Sequence, residues 1–150
     1  MTTNSQNPGR GRAFEKRVGQ YLRMQGYDVN PDYEVEVSIN GRLKKSHKFD
    51  WGSDTLLVEC KAYSWTKVGN NPSGKVATAN EAMLYFIAAP GPFKKMLFMP
   101  RTEKVGKRRP ETLVEYYVRS YRHFIPDGVE IYELDESDLS ATRVWPPQTN

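Results

Sequence analysis

The stretch FDWGSDTLLVECKA, residues 49–62, runs from an aspartate through a turn into an apolar strand that ends in charge. Successive side chains of a strand point to opposite faces. Leu56, Val58, Cys60 and Ala62 therefore share one face, apolar throughout and suited to packing on a helix. Leu57, Glu59 and Lys61 share the other, apolar at its start and charged at its end. Burying a charge is costly unless it is paired or bound to a cation, so this strand end is either a sheet rim or a site.

Asp50 stands just upstream, across the turn at Gly52-Ser53-Asp54. A two-residue turn places Asp50 on the Glu59 face, diagonal to it at about 7 Å between Cα atoms. A four-residue turn sets the two directly opposite, and a three-residue turn puts Asp50 on the wrong face. Gly52 and the polar pair after it favour an even-length turn. Two carboxylates so placed repel unless a cation lies between them, and oxygen-only ligands suit Mg²⁺. Asp54 is the alternative carboxylate if the turn runs otherwise. By the same alternation His47 points away from the Asp50 face, and Cys60 packs toward the core.

The chain has 150 residues, 38% of them hydrophobic, which is enough for one domain with its own core. Its single cysteine excludes an internal disulfide framework and suits a reducing cytosol, so an intracellular, cytoplasmic protein is expected. No apolar run approaches the ~20 residues of a membrane span, and no membrane association is expected. The net charge is only +4, yet residues 101–109, RTEKVGKRR, concentrate Arg101, Lys104, Lys107, Arg108 and Arg109 against Glu103 alone. Such a patch suits a polyanion, nucleic acid first among them.

Outward from the central stretch, residues 1–9 read as a flexible N-terminus. An amphipathic helix is predicted from about Arg12, with Phe14, Val18, Tyr21 and Leu22 at helical spacing and Gly26 past its end. Residues 33–39 alternate as a strand, Asn40-Gly41 predicts a tight hairpin, and a second strand returns over 42–51. A helix over 76–88 and a buried strand over 94–100 follow. Pro110 is placed at the first position of another helix, residues 129–134 form a last strand, and 135–150 read as a C-terminal tail. The order αβββαβαβ predicts an α/β fold with a mixed sheet flanked by helices.

Asp50 followed by Glu59-Cys60-Lys61 at the end of an apolar strand resembles the PD-(D/E)xK nuclease superfamily, the restriction-endonuclease-like fold. Glu59-x-Lys61 is the one E-x-K in the chain, and Glu15, in GRAFEKRV (11–18), stands where many members carry a helical glutamate. The likeness covers residues 10–134 and an αβββαβ core with a further helix and strand. Phe49 precedes the aspartate where the family name has proline.

The resemblance implies a metal-dependent nuclease, most simply a DNA endonuclease, with no organic cofactor. Asp50 and Glu59 would ligate Mg²⁺, for which Mn²⁺ can substitute, with the Cys60 carbonyl and Glu15 as further ligands. Lys61 would position the attacking water. Lys67, Lys75 and the cations of 101–109 are candidate phosphate contacts, and a C2 homodimer is expected because duplex cleavage needs two cuts. Two rivals share these residues: a non-catalytic nucleic-acid-binding module on the same fold, and an interaction domain whose basic loop meets an acidic protein.

Overall fold

In the computed structural model, which describes residues 8–63, 73–103 and 110–148, six strands form one mixed sheet in sequential order. Helix α1 (Pro8–Met24) precedes the strands β1 (Asn30–Val37), β2 (Lys45–Gly52) and β3 (Leu56–Cys60). Next come α2 (Ser73–Val76), α3 (Ala79–Ala88), β4 (Lys94–Pro100), α4 (Leu113–Tyr121) and a 3₁₀ turn at Arg122–Phe124. β5 (Val129–Asp135) and β6 (Ser140–Trp145) complete the sheet. β1 to β3 are antiparallel, β3, β4 and β5 are parallel, and β6 returns antiparallel to β5. The predicted α/β class and mixed sheet match this arrangement.

Helices cover both faces, so the parallel strands at the centre are buried on both sides. All five residues of β3 are buried. Leu56, Val58, Cys60 and Ala62 pack with Phe14, Val18 and Leu22 of α1, while Leu57 packs with Met83 and Phe86 of α3 and Tyr117 of α4. The wholly apolar face read from the strand is the one that α1 covers. Among the described residues, no helix is long and apolar enough to cross a membrane.

α1 closes on the sheet through Gly19, which sits under Trp51. A Cβ built on Gly19 overlaps the Trp51 indole, and the same indole donates from Nε1 to the Glu15 carbonyl at 2.8 Å. Gly19→Ala is therefore expected to lower stability by about 1–3 kcal/mol, because helix or indole must move apart. Urea unfolding checks this, and an unchanged midpoint would show that the contact yields freely.

Several elements depart from the predicted boundaries. α1 begins at Pro8, so the last two residues of the expected flexible N-terminus belong to a helix, whose first turn tolerates proline. Asn40-Gly41 does not make a two-residue hairpin: β1 stops at Val37 and β2 starts at Lys45. Asn40 instead uses its side-chain Oδ1 to accept the N–H groups of Arg42 and Leu43, which organises a wider loop. Pro110 lies ahead of α4 rather than in it. Thr112 caps that helix, accepting the Glu115 N–H at 3.1 Å while the Glu115 carboxylate takes the Thr112 N–H at 2.9 Å. The segment read as a tail contributes β6, the edge strand paired with β5.

Candidate active site

The site lies where β2 and β3 part. Their ladder holds Trp51 opposite Val58 and Gly52 opposite Leu57. Four residues, Ser53 to Leu56, thus close the turn, and Asp50 falls opposite Glu59, one of the two even-length alternatives. Beyond the last pair, the Cys60 N–H finds no β2 carbonyl. It donates to Asp50 Oδ2 at 2.8 Å, while the next N–H, of Lys61, is taken by the Phe98 carbonyl of β4 at 3.0 Å. An aspartate side chain thereby replaces a rung of the sheet, which holds its carboxylate at the end of β3.

Glu59 is 5% exposed. One oxygen is hydrogen-bonded with His47 Nε2 at 3.0 Å, and the other is 3.4 Å from the Asp50 backbone nitrogen. Glu15 comes from α1, anchored over β2 by the Trp51 indole, and interacts with both Asp50 and Glu59. Burial, then the charges of Glu59 and Glu15, push the Asp50 carboxyl up to about 8, against the pull of the Cys60 N–H. Burial, Asp32 and Glu59 likewise raise Glu15, opposed by Arg12 and by a hydrogen bond with Asp50. Like charges held together in a partly dry site favour protons or a cation.

The other expected residues divide. Lys61 is half-buried at the strand end and makes no ion pair with the three acids. Cys60 is buried on the α1 face and its thiol is raised by burial, so only its carbonyl could serve as a ligand. Asp54 is exposed and accepts from the Tyr33 hydroxyl at 3.2 Å, away from the site. Arg101 is engaged by Glu103 at 2.9 Å and Glu133 at 3.4 Å. Lys67, Lys104, Lys107, Arg108 and Arg109 lie outside the described residues, as does the side chain of Lys75 in α2.

His47 is the residue that alternation misplaced. Phe49 and His47 face α3, with the His47 ring stacked on Tyr85 at 3.6 Å between centroids, whereas Trp51 faces α1. Adjacent odd-numbered residues of one strand thus lie on opposite sides. The reversal falls at Asp50, where the β1–β2 ladder omits the Asp32–Asp50 pair and Asp32 adopts a φ of 51°. His47 is thereby delivered to Glu59 rather than away from it. The only sequence signal was Pro31-Asp32 opposite this point, a poor strand segment. If Glu59 is a metal ligand, His47→Phe is expected to keep the stacking and weaken divalent-metal binding about 10–100-fold, with His47→Gln recovering part of it. Calorimetric titration of the two variants with Mn²⁺ checks this, and a His47→Phe protein that binds as tightly as the parent would refute it.

Among the described residues, no three His, Cys, Asp or Glu side chains form a ready cage for a metal ion. Mg²⁺ needs none, since it usually takes one or two carboxylates and keeps its waters. The donors at the end of β3 are carboxylate and carbonyl oxygens, and two of the carboxyls hold protons more tightly than usual because they are buried and face other acids. That donor set fits a hard divalent cation. Comparison with protein-family models, with curated proteins and with solved structures finds no match to this chain.

Proposed function

We propose that this protein is a divalent-metal-dependent nuclease of the PD-(D/E)xK type that hydrolyses phosphodiester bonds in DNA. One observation carries the reading: carboxyls from α1, β2 and β3 meet at the end of a parallel strand, with Asp50 pushed up to about 8 by burial and its acidic neighbours. The order of α1, three antiparallel strands, a helical crossover and a parallel fourth strand supports it, being the order expected from the resemblance.

Asp50 and Glu59 would hold Mg²⁺, or Mn²⁺ in its place, with the Cys60 carbonyl and Glu15 as additional oxygen donors. The bound ion would polarise the scissile phosphate and acidify a water. The chain's own groups do the positioning. The Cys60 N–H fixes the Asp50 carboxylate, and His47 Nε2, 3.0 Å from Glu59 Oε2, orients Glu59. Lys61, unpaired with these acids, has an ammonium free to orient the attacking water and to oppose the negative charge that develops.

Incubation with supercoiled and linear DNA, in Mg²⁺ or in EDTA, tests the proposal. Cleavage is expected in Mg²⁺ and not in EDTA, and Lys61→Ala is expected to reduce it by about 10²–10³-fold. If Lys61→Ala and Asp50→Ala both cut like the parent, the assignment is wrong.

A further inference from the structure

The loop between β1 and β2 is densely cationic, with Glu34, opposite Lys48, and Glu36, opposite Ser46, lying across the ladder below it. From Val37 to Lys48 the chain holds Arg42, Lys44, Lys45 and Lys48 and no acidic residue. Residues 39–46 are all exposed, and none of the four cations forms an ion pair with a described residue. Ile39 and Leu43, at 70% and 79%, are the most exposed large aliphatic side chains among the described residues. The tip is nonetheless held by its own hydrogen bonds. Asn40 Oδ1 accepts from the N–H groups of Arg42 at 2.8 Å and Leu43 at 3.0 Å, and the Gly41 N–H donates to Ser38 Oγ at 2.9 Å. The Ser38 N–H donates to the Ala88 carbonyl at 2.9 Å, tying the loop base to the end of α3. Two bare aliphatics and a run of cations are therefore displayed on a fixed support, an arrangement with no benefit to folding.

We propose that this hairpin is a second nucleic-acid contact, a β-ribbon whose Arg42, Lys44 and Lys45 grip the phosphate backbone of a duplex while Ile39 and Leu43 make apolar contact in a groove. The inference rests on the nuclease reading for where the scissile phosphate lies, and it narrows the substrate to a duplex. From Asp50 back to Lys45 the strand rises about 17 Å, at roughly 3.3 Å per residue. Base pairs stack about 3.4 Å apart, so with the strand laid along the duplex axis the hairpin would meet it about five base pairs from the reacting phosphate. A two-stranded ribbon fits a major groove, and aliphatic side chains serve as contacts or wedges between base steps. Basic and aliphatic residues together also suit an anionic lipid surface, but the usual form of that contact is an amphipathic helix, and this tip is a loop on the strand that bears Asp50.

Binding of a labelled duplex of about 20 base pairs, measured in EDTA across a range of salt, tests the contact without any need for cleavage. The triple variant Arg42→Gln, Lys44→Gln, Lys45→Gln is expected to bind at least tenfold more weakly. Its slope of log K against log salt should be shallower by about 2–3, at roughly 0.9 for each phosphate that the variant leaves unneutralised. Ile39→Ser with Leu43→Ser is expected to weaken binding without changing the slope. All five positions are exposed, so thermal unfolding should be unchanged and would establish that the variants are folded. A triple variant with the parent's affinity and slope overturns the proposal, as does hairpin-dependent binding to phosphatidylserine vesicles with duplex binding unaltered. A hairpin-dependent slope in a protein that cuts under no metal would remove the nuclease reading and leave this contact standing, while metal-dependent cutting with hairpin-independent binding would do the reverse.

Discussion

Asp50→Asn is expected to lower DNA cleavage by at least about 10³-fold while making the metal-free protein more stable at pH 8. The two effects have one origin. Asparagine keeps the shape of aspartate and can still accept the Cys60 N–H through Oδ1, so the rung that the side chain supplies between β2 and β3 survives. What disappears is a negative charge in a largely buried place, facing Glu59 and Glu15. Folding no longer has to hold that charge away from water beside two others, which favours the variant by about 1–3 kcal/mol. Catalysis loses the anionic oxygen proposed to hold the cation, and a neutral amide is a weak substitute for it. Urea denaturation in EDTA and initial cleavage rates in Mg²⁺ read the two halves separately. A variant that is both inactive and less stable would mean that Asp50 is a structural residue whose charge the fold welcomes.

Stability of the metal-free protein is expected to fall as pH rises from about 5 to above 8. The folded-state carboxyl of Asp50 sits at about 8 against an ordinary value of 3.8. Between these values the native state holds a proton that the unfolded chain has released, so unfolding becomes more favourable as pH increases. The contribution is fully present below the ordinary value and gone above the raised one. At about 1.4 kcal/mol for each pH unit, this corresponds to about 5–6 kcal/mol at most. Glu15 and Glu133, both raised mainly by burial, act in the same direction. Asp50→Asn should flatten most of the slope. Saturating Mg²⁺ should flatten it too, because a bound cation favours the ionised carboxyls and replaces the proton as their partner. Chemical denaturation at a series of pH values, with and without Mg²⁺, provides the check. A midpoint that rises steadily from pH 5 to 8.5 without metal would contradict the raised Asp50 carboxyl.

Periodicity alone located much of the framework. The apolar face of residues 56–62, the buried strand at 94–100 and the Phe14-Val18-Leu22 stripe were each legible because burial imposes a repeat of two or of 3.6 on the residues that pack. Glu59 and Lys61 stood out for the complementary reason, as charges at the end of a strand too apolar to be a surface strand. Composition also revealed the basic 101–109 segment, though Arg101 turns out to be occupied by Glu103 and Glu133, a pairing that no local pattern announces.

The site shows why the remainder was not legible. Alternation assumes a regular strand, whereas β2 reverses its faces at Asp50, so His47 reaches Glu59 while Trp51 turns to α1. That reversal depends on a partner strand, on Asp32 in a left-handed conformation, and on the space Gly19 leaves for an indole. All three are far from Asp50 along the chain and near it only once folded. The order of residues settles which side chains are apolar, which are charged and with what period they recur. Which charges meet is settled only in the packed molecule, because that is a matter of distance and desolvation, neither of which is a property of any residue alone.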